Sequence, residues 1–498
     1  MIDFTILSSV VDDNSLELLG VSDMAFAVIG GQDFLLVAAE ADGAITSFNV
    51  SANLVPQLID TQSFTDTSGT LAVGQLTLTE VDGVPTLLPS AKFDDNVATY
   101  TIDDTGNISN PMPQPQGGNT VSPFTVTHSV IVGDKTYLYA AERGVSGIAS
   151  YWMQPGDSFS AKVSYAASSF DFFGDVAAFA SVPVGAATYL FTASAFDAGL
   201  NSFSVGANGG LELIDSVAPS EASGFSLPQA LETVALNGQA YLLMASAGTN
   251  SITSYVVGND GTLTETDHLI DTTNTRFQDA GVLESFTYDD RGFILAAGSD
   301  DGLTLLEIST RGTLSVLAVL ADDFNTTLNN ITDIEVAILG TEIHAFVSSG
   351  VENGFTQIKI NIDNNGITVI GTAAHDTLNG TAQNDTLVGF DGSDRLYGGN
   401  GNDLMVDGTG RDHFFGGVGV DIFQFEPDNT LDLIRDYEVG IDKIDLSFLG
   451  AAASMEDLNI TGRSFGAVII AGTEEIRITT IDNTQLNAQD FVADDFIF

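Results

Sequence analysis

The chain has no cysteine among its 498 residues, so no disulfide framework can hold it and no thiol can act as nucleophile or metal ligand. Basic residues are nearly as scarce. Fourteen Lys and Arg stand against 67 Asp and Glu, a formal charge of −53. That field repels phosphate backbones and anionic lipid, which excludes nucleic acid as a partner. No apolar run reaches the roughly 18 residues of a membrane helix, so no membrane span is expected. The start, Met1-Ile-Asp-Phe-Thr-Ile-Leu, lacks the basic and apolar regions of a cleaved signal peptide. H-E-x-x-H, a P-loop and a G-x-G-x-x-G after a strand are also absent, and no G-x-S-x-G forms a nucleophile elbow, which removes the zinc-protease, serine-hydrolase and nucleotide-binding readings. Five histidines, at 128, 268, 344, 375 and 413, are scattered. Apolar residues, by contrast, make up 44% of the chain. That is too many for an acidic disordered protein and enough for two or three domains with real cores.

Residues 371–424 repeat in nines. Aspartates recur at Asp376, Asp385, Asp394, Asp403, Asp412 and Asp421, each followed two positions later by Leu378, Leu387, Leu396, Met405, Phe414 or Phe423. Glycines precede them, as in Gly398-Gly399-Asn400-Gly401-Asn402-Asp403 and Gly416-Gly417-Val-Gly419-Val-Asp421. A flexible acidic linker would not keep an aspartate and an apolar residue in phase over six units. The pattern G-G-x-G-x-D-x-U-x resembles the calcium-binding β-roll repeats of the RTX family.

The chemistry fits the spacing. Glycines allow tight turns with inward carbonyls, calcium takes six to eight hard oxygens, and the apolar position points into the roll. Each nonapeptide is half a coil, so an ion lies between turns two repeats apart. The expected pairs are Asp376 with Asp394, Asp385 with Asp403, Asp394 with Asp412, and Asp403 with Asp421, or about four Ca2+ sites. Turn positions Gly389, Asp391, Gly398, Asn400, Asn402 and Gly416 complete the candidate ligand set. The first two repeats depart from the pattern, with Thr372 and Thr381 at position 2 and Ala374 and Gln383 at position 4.

A second period fills residues 1–370. Phe48, Tyr100, Tyr151, Phe203, Tyr255, Leu306 and Ile358 recur every 51 or 52 residues, most of them after a serine or threonine. An earlier strand recurs in phase, from Phe34, Tyr137, Tyr189, Tyr241 and Phe293 to Ala39, Ala141, Ala193, Ala245 and Ala297. Glycines at 106, 209, 261 and 312 mark hairpin turns. Seven such periods of short strands predict an all-β fold, a seven-bladed β-propeller, with the alanine column on inner strands. Either Phe4–Val11 or Gly366–Ile370 could close the ring. The layout is similar to lactonase-like propellers, a fold that hosts hydrolases and binding modules alike. Polar residues gather in the following loops: Glu40, Asp42, Lys92, Asp94, Asp95, Glu142, Arg143, Asp197, Asp300 and Asp301. Glu142-Arg143 is the candidate pair for a central pocket, against the plainer reading of a solvated ion pair.

After the repeats, Asp436-Tyr-Glu-Val-Gly440-Ile-Asp442-Lys-Ile-Asp445-Leu resembles the cap of serralysin-type β-rolls. That likeness implies calcium-ordering roles for Asp436, Asp442 and Asp445. The ending Asp494-Asp495-Phe496-Ile-Phe498 resembles an uncleaved type I secretion signal. The expected division is a propeller over 1–370, a β-roll over 371–425, and a cap with secretion signal over 426–498. The expected function is that of a secreted, extracellular calcium-binding protein of a Gram-negative bacterium. Its partners would be the type I secretion machinery and an extracellular or cell-surface ligand of the propeller. The alternative is a secreted lactonase-like hydrolase.

Overall fold

The structure, a computed structural model, describes residues 3–12, 16–52, 54–63, 65–66, 69–70, 74–90, 98–113, 124–142, 145–154, 158–159, 163–166, 172–220, 224–273, 275–289, 291–322, 326–362, 365–449, 454–481 and 484–498. The chain divides between Asn361 and Ile362 into two compact units.

The first unit is a seven-bladed β-propeller. Blade 1 runs Val21–Ile29, Gln32–Ala39, Ala44–Ser51 and Leu54–Ser63, antiparallel in sequence order. Blades 2 to 6 begin with Gln75–Val81, Phe124–Val132, Val176–Val184, Pro228–Leu236 and Val282–Tyr288. Blade 7 contains Ile331–Leu339, Glu342–Ser349 and Gly354–Asn361, and its fourth strand is Asp3–Val11, antiparallel to Gly354–Asn361. Asn365–Ile370 pairs instead, in parallel, with Asn384–Val388 of the second unit. The open question of closure is thereby decided: the N-terminal strand completes the last blade.

The seven first strands pack side by side in a closed ring. The alanine column does not lie on them, as expected from sequence, but on the second strands. Gln32–Ala39, Gln239–Ser246 and Arg291–Ala297 are almost wholly buried, because they are clamped between blades. The innermost strands flank a channel and alternate buried with half-buried positions, so they carry polar residues.

The two recurring columns interlock between blades. The turn glycine of one blade sits against the aromatic residue that opens the second strand of the preceding blade. A Cβ on Gly261 would lie 2.4 Å from Tyr189 Cε1, and Gly209 meets Tyr137 in the same way. The serine before the aromatic column bonds the same turn: Ser202 Oγ donates to the Gly261 carbonyl at 2.6 Å and Ser254 Oγ to that of Gly312 at 2.5 Å. Gly261 also has φ +84°, a conformation that costs other residues about 1–2 kcal/mol. Gly261→Ala combines strain with overpacking, and should destabilise the propeller by ~2–4 kcal/mol in denaturant unfolding. Gly238→Ala, with φ +83° but open space around it, should cost only the strain.

The second unit is built on two parallel sheets. One contains Thr377–Asn379, Arg395–Asn400, His413–Val418 and Leu431–Ile434. The other contains Asn365–Ile370, Asn384–Val388, Leu404–Val406, Ile422–Gln424, Lys443–Asp445 and Phe496–Ile497. Leu378, Leu387, Leu396, Met405, Phe414 and Phe423 alternate between the sheets and form one buried stack, extended by Ile434 and Ile444. An antiparallel array of Leu458–Arg463, Gly466–Ala471 and Glu474–Thr479 continues the first sheet, with Glu474–Thr479 parallel to Leu431–Ile434. No helix of the described residues is long and apolar enough to cross a membrane.

Candidate metal centre

The repeat aspartates form two ladders, one along each edge of the roll. Along the first, the Asp376 N–H donates to Asp394 Oδ1 (2.7 Å), Asp394 to Asp412 (2.6 Å) and Asp412 to Asp432 (2.9 Å). Along the second, Asp385 donates to Asp403 (2.7 Å), Asp403 to Asp421 (2.9 Å) and Asp421 to Asp442 (3.1 Å). Each carboxylate thus spends one oxygen on the neighbouring coil, and the fate of the other oxygen distinguishes the sites.

Oδ2 of Asp394, Asp403, Asp412 and Asp421 is buried with no hydrogen-bond partner, an arrangement unfavourable by about 1–3 kcal/mol per group or more for a charge. These are the second members of the four expected pairs. In the two irregular repeats the corresponding oxygen is taken. Asp376 Oδ2 accepts from the Thr372 N–H (2.6 Å) and hydroxyl (2.8 Å), and Asp385 Oδ2 accepts from the Thr381 N–H and hydroxyl. Threonine at position 2 supplies a donor that glycine lacks. The departures seen in the sequence therefore have a direct consequence: the carboxylate is satisfied by its own turn.

The glycines leave no room for side chains around these oxygens. A Cβ on Gly398 would lie 2.1 Å from Asp403 Oδ2, one on Gly416 2.3 Å from Asp421 Oδ2, and one on Gly389 3.0 Å from Asp394 Oδ2. Gly410, at φ +117°, sits against the Gly392 carbonyl of the coil before it. The remaining expected positions are engaged otherwise. Asp391 Oδ1 accepts from the Thr409 hydroxyl (2.7 Å), and Asn402 Oδ1 from the Val420 N–H (2.8 Å). The exposed Asn400 donates its N–H to the Thr381 carbonyl (3.4 Å). Asp436 caps the N–H groups of Gly416 (2.9 Å) and Gly417 (3.1 Å). Asp442 ends its ladder with Oδ2 occupied by the Glu438 N–H (2.7 Å), and Asp445 binds Ser447.

Burial raises the affinity of these carboxylates for protons, with neighbouring aspartates adding to it. Asp403 is pushed up to about 7, Asp412 to about 8 and Asp421 to about 6. Asp376 moves the other way, below the usual carboxylate range, because Thr372 donates to it. An array of buried anionic oxygens without donors fits a hard dication. Carbonyls of the glycine turns and the four free Oδ2 atoms are the donor set that calcium prefers.

Residues 370–405 and 397–429 match the family model of the RTX calcium-binding nonapeptide repeat, in four copies. This segment is an RTX repeat array. No curated protein matches the chain.

Sequence reasoning missed one ladder end, Asp432, and one buried turn aspartate, Asp407. Asp432 continues the first edge but falls out of the nine-residue phase. Its signal is the Asp-x-apolar signature, present in Asp432-Leu-Ile434 and again in Asp442-Lys-Ile444. Asp407, also buried, holds the N–H groups of Gly408 and Glu426 at 2.6 and 2.8 Å.

The propeller holds a second polar site. A cavity of about 460 Å³ is lined by the innermost strands. Asp23, Glu232, Glu284, Asp333 and Glu335 line it together with His128, which bonds Ser181 Oγ at 2.8 Å. Burial pushes Glu232 and Asp333 up to about 7, and Asp23, Glu284 and Glu335 also rise well above the usual range. Among the described residues, none of the expected loop residues lines it. Asp42, Asp197, Asp300 and Asp301 instead accept backbone N–H groups of Leu19, Phe173, Gln278 and Asn330. Glu142 is buried against the Tyr151 hydroxyl at 2.5 Å. Arg143, Lys92, Asp94 and Asp95 lie outside the described residues. Among the described residues, the hydrolase alternative gains no catalytic constellation from this arrangement.

Proposed function

We propose that this is a secreted RTX protein in which calcium drives folding of the C-terminal unit after export, while the propeller serves as a binding or presentation module. The observation that carries the reading is the set of four buried aspartate oxygens without donors, repeated along both edges of the roll. Without an ion their mutual repulsion and desolvation oppose folding, so at low cytosolic calcium the segment stays open and can pass a narrow channel. Outside, an ion that binds only the folded form stabilises it by mass action. Phe496–Ile497 is paired as the last strand of the second sheet. A type I secretion signal there would be accessible to the export machinery only while the roll is unfolded, which couples export to the absence of calcium. The excess of carboxylates favours an ion-rich extracellular setting over contact with nucleic acid or lipid.

The test is calcium bound by the full chain, measured by equilibrium dialysis beside far-ultraviolet circular dichroism. Uptake of at least four ions, one for each free Oδ2, with a cooperative gain of β-structure that magnesium does not reproduce, is expected. Magnesium demands a smaller and stricter octahedron. No uptake in millimolar calcium would sink the proposal.

A further inference from the structure

At the end of the repeat array the roll meets the C-terminal hairpin, and three carboxylates converge there. One oxygen each of Asp428, Asp432 and Glu474 lies within 4.8 Å of the others. Asp432 and Glu474 are 2% and 3% exposed. Chain donors reach one oxygen each of Asp432 and Glu474, and both oxygens of Asp428, whose Oδ2 accepts from the Gly410 N–H. Asp432 Oδ1 accepts from the Asp412 N–H, and Glu474 Oε1 from the Asn429 N–H at 2.7 Å. Asp428 is held by the Thr430 N–H (2.8 Å) and hydroxyl (2.9 Å). Glu474 Oε2 is buried and has no partner at all.

We infer that Asp428, Asp432 and Glu474 form a further calcium site, distinct from those of the nonapeptides, which staples the C-terminal hairpin to the last coil. The topology gives the reason. Within the array, each coil is followed by another that supplies the next aspartate. After Asp432 no further coil follows on this edge, and the strand that pairs with Leu431–Ile434 is Glu474–Thr479 of the hairpin. Ile476 stands opposite Asp432, where the next repeat aspartate would be, and Glu474, two residues before it on that strand and more than forty residues further along the chain, brings the carboxylate. The three carboxylates bring hard oxygens together around Glu474 Oε2, which has no donor, and nearby backbone carbonyls can add to them, which suits calcium. Two of the three groups are too buried to be left as an uncompensated anionic pair. Burial also raises Glu474 and pushes Asp432 up to about 7, so the competitor for the ion is a proton shared within the cluster.

The experiment compares the full chain with Glu474→Gln, which keeps an acceptor for the Asn429 N–H, and with Asp428→Asn on the half-buried turn. Bound calcium is counted by equilibrium dialysis, and protection of Gly466–Thr479 is followed by hydrogen exchange across a calcium titration. Each variant should bind one ion fewer, keep the β-signal of the roll at saturating calcium, and need about tenfold more calcium to protect the hairpin. An unchanged ion count in both variants would overturn the site and leave a shared proton as the explanation. Loss of several ions together with the roll's β-signal in both would show structural support rather than a separate site. Asp403→Asn in parallel reports on the array by itself, so failure of the array and failure of this site are told apart.

Discussion

Asp412→Asn should raise the calcium concentration at the folding midpoint of the roll by at least tenfold, while Asp376→Asn should change it less than about threefold. The two aspartates occupy equivalent positions on the same edge. Asp412 is fully buried, accepts the Asp394 N–H through Oδ1, and has its Oδ2 free. Asparagine preserves the first interaction and replaces the anionic oxygen with an amide, so the ion is lost with little damage to the ladder. A site held at 100 times its Kd contributes about 2.7 kcal/mol. An aspartate shared by successive coils faces an ion on either side, and a loss of ~3–5 kcal/mol would be comparable with the whole stability of a small unit. Asp376 is only partly buried and its Oδ2 already accepts from Thr372, so less depends on it. Circular dichroism across a calcium titration of the full chain measures both. Equal shifts for the two substitutions would contradict the assignment of the free oxygens as ion ligands.

The same contrast shows what periodicity makes readable. A nine-residue phase in the sequence becomes a backbone ladder in space, so Leu378 to Phe423 could be placed in the core and the aspartates on the edges before any coordinates. The 51- and 52-residue period likewise located Ser254-Tyr255 and Gly261, because each blade packs on a near copy of itself. What escaped lies where the period breaks. Asp432 follows a two-residue insertion, and Glu474 arrives through strand pairing between distant segments, a relation that no local pattern encodes. The channel carboxylates escaped for another reason. Glu232, Glu284 and Glu335 hold the same phase within their blades, but their strands alternate polar and small residues, which looks like an ordinary half-exposed strand. The likelier-looking Glu142 was brought to attention by its charged neighbour, yet its strand places it against Tyr151.

The propeller should lose thermal stability as pH rises from 5 to 8. Burial pushes Glu232 and Asp333 up to about 7 in the folded state and raises Asp23, Glu284 and Glu335 well above the usual range, with the charges of Asp333, Glu335 and Glu232 adding to it. For an acid whose folded pKa exceeds its unfolded value, the folded state binds the proton more tightly. The resulting stability is complete below the unfolded pKa, near 4, and disappears as pH passes the folded value. The window therefore opens at about 4 and extends through about 7 for Glu232 and Asp333, and the upward shifts of the other three act in the same direction. Each pKa unit corresponds to about 1.4 kcal/mol, so even a discounted sum over five groups predicts a fall in Tm of several degrees. Repulsion among the other carboxylates of a chain at −53 has the same sign, so the slope alone does not assign the effect. The double variant Glu284→Gln/Glu335→Gln separates the two contributions. It removes two channel charges, leaves the surface field almost unchanged, and keeps an acceptor for the Val336 N–H that Glu284 now binds. Melting curves at pH 5 and pH 8, in calcium sufficient to hold the roll folded, should show the variant with a flatter slope and a higher Tm at pH 8. Parallel slopes would place the pH dependence on the outer surface. A flat wild-type profile would mean that the channel carboxylates stay hydrated and ionised within the ring.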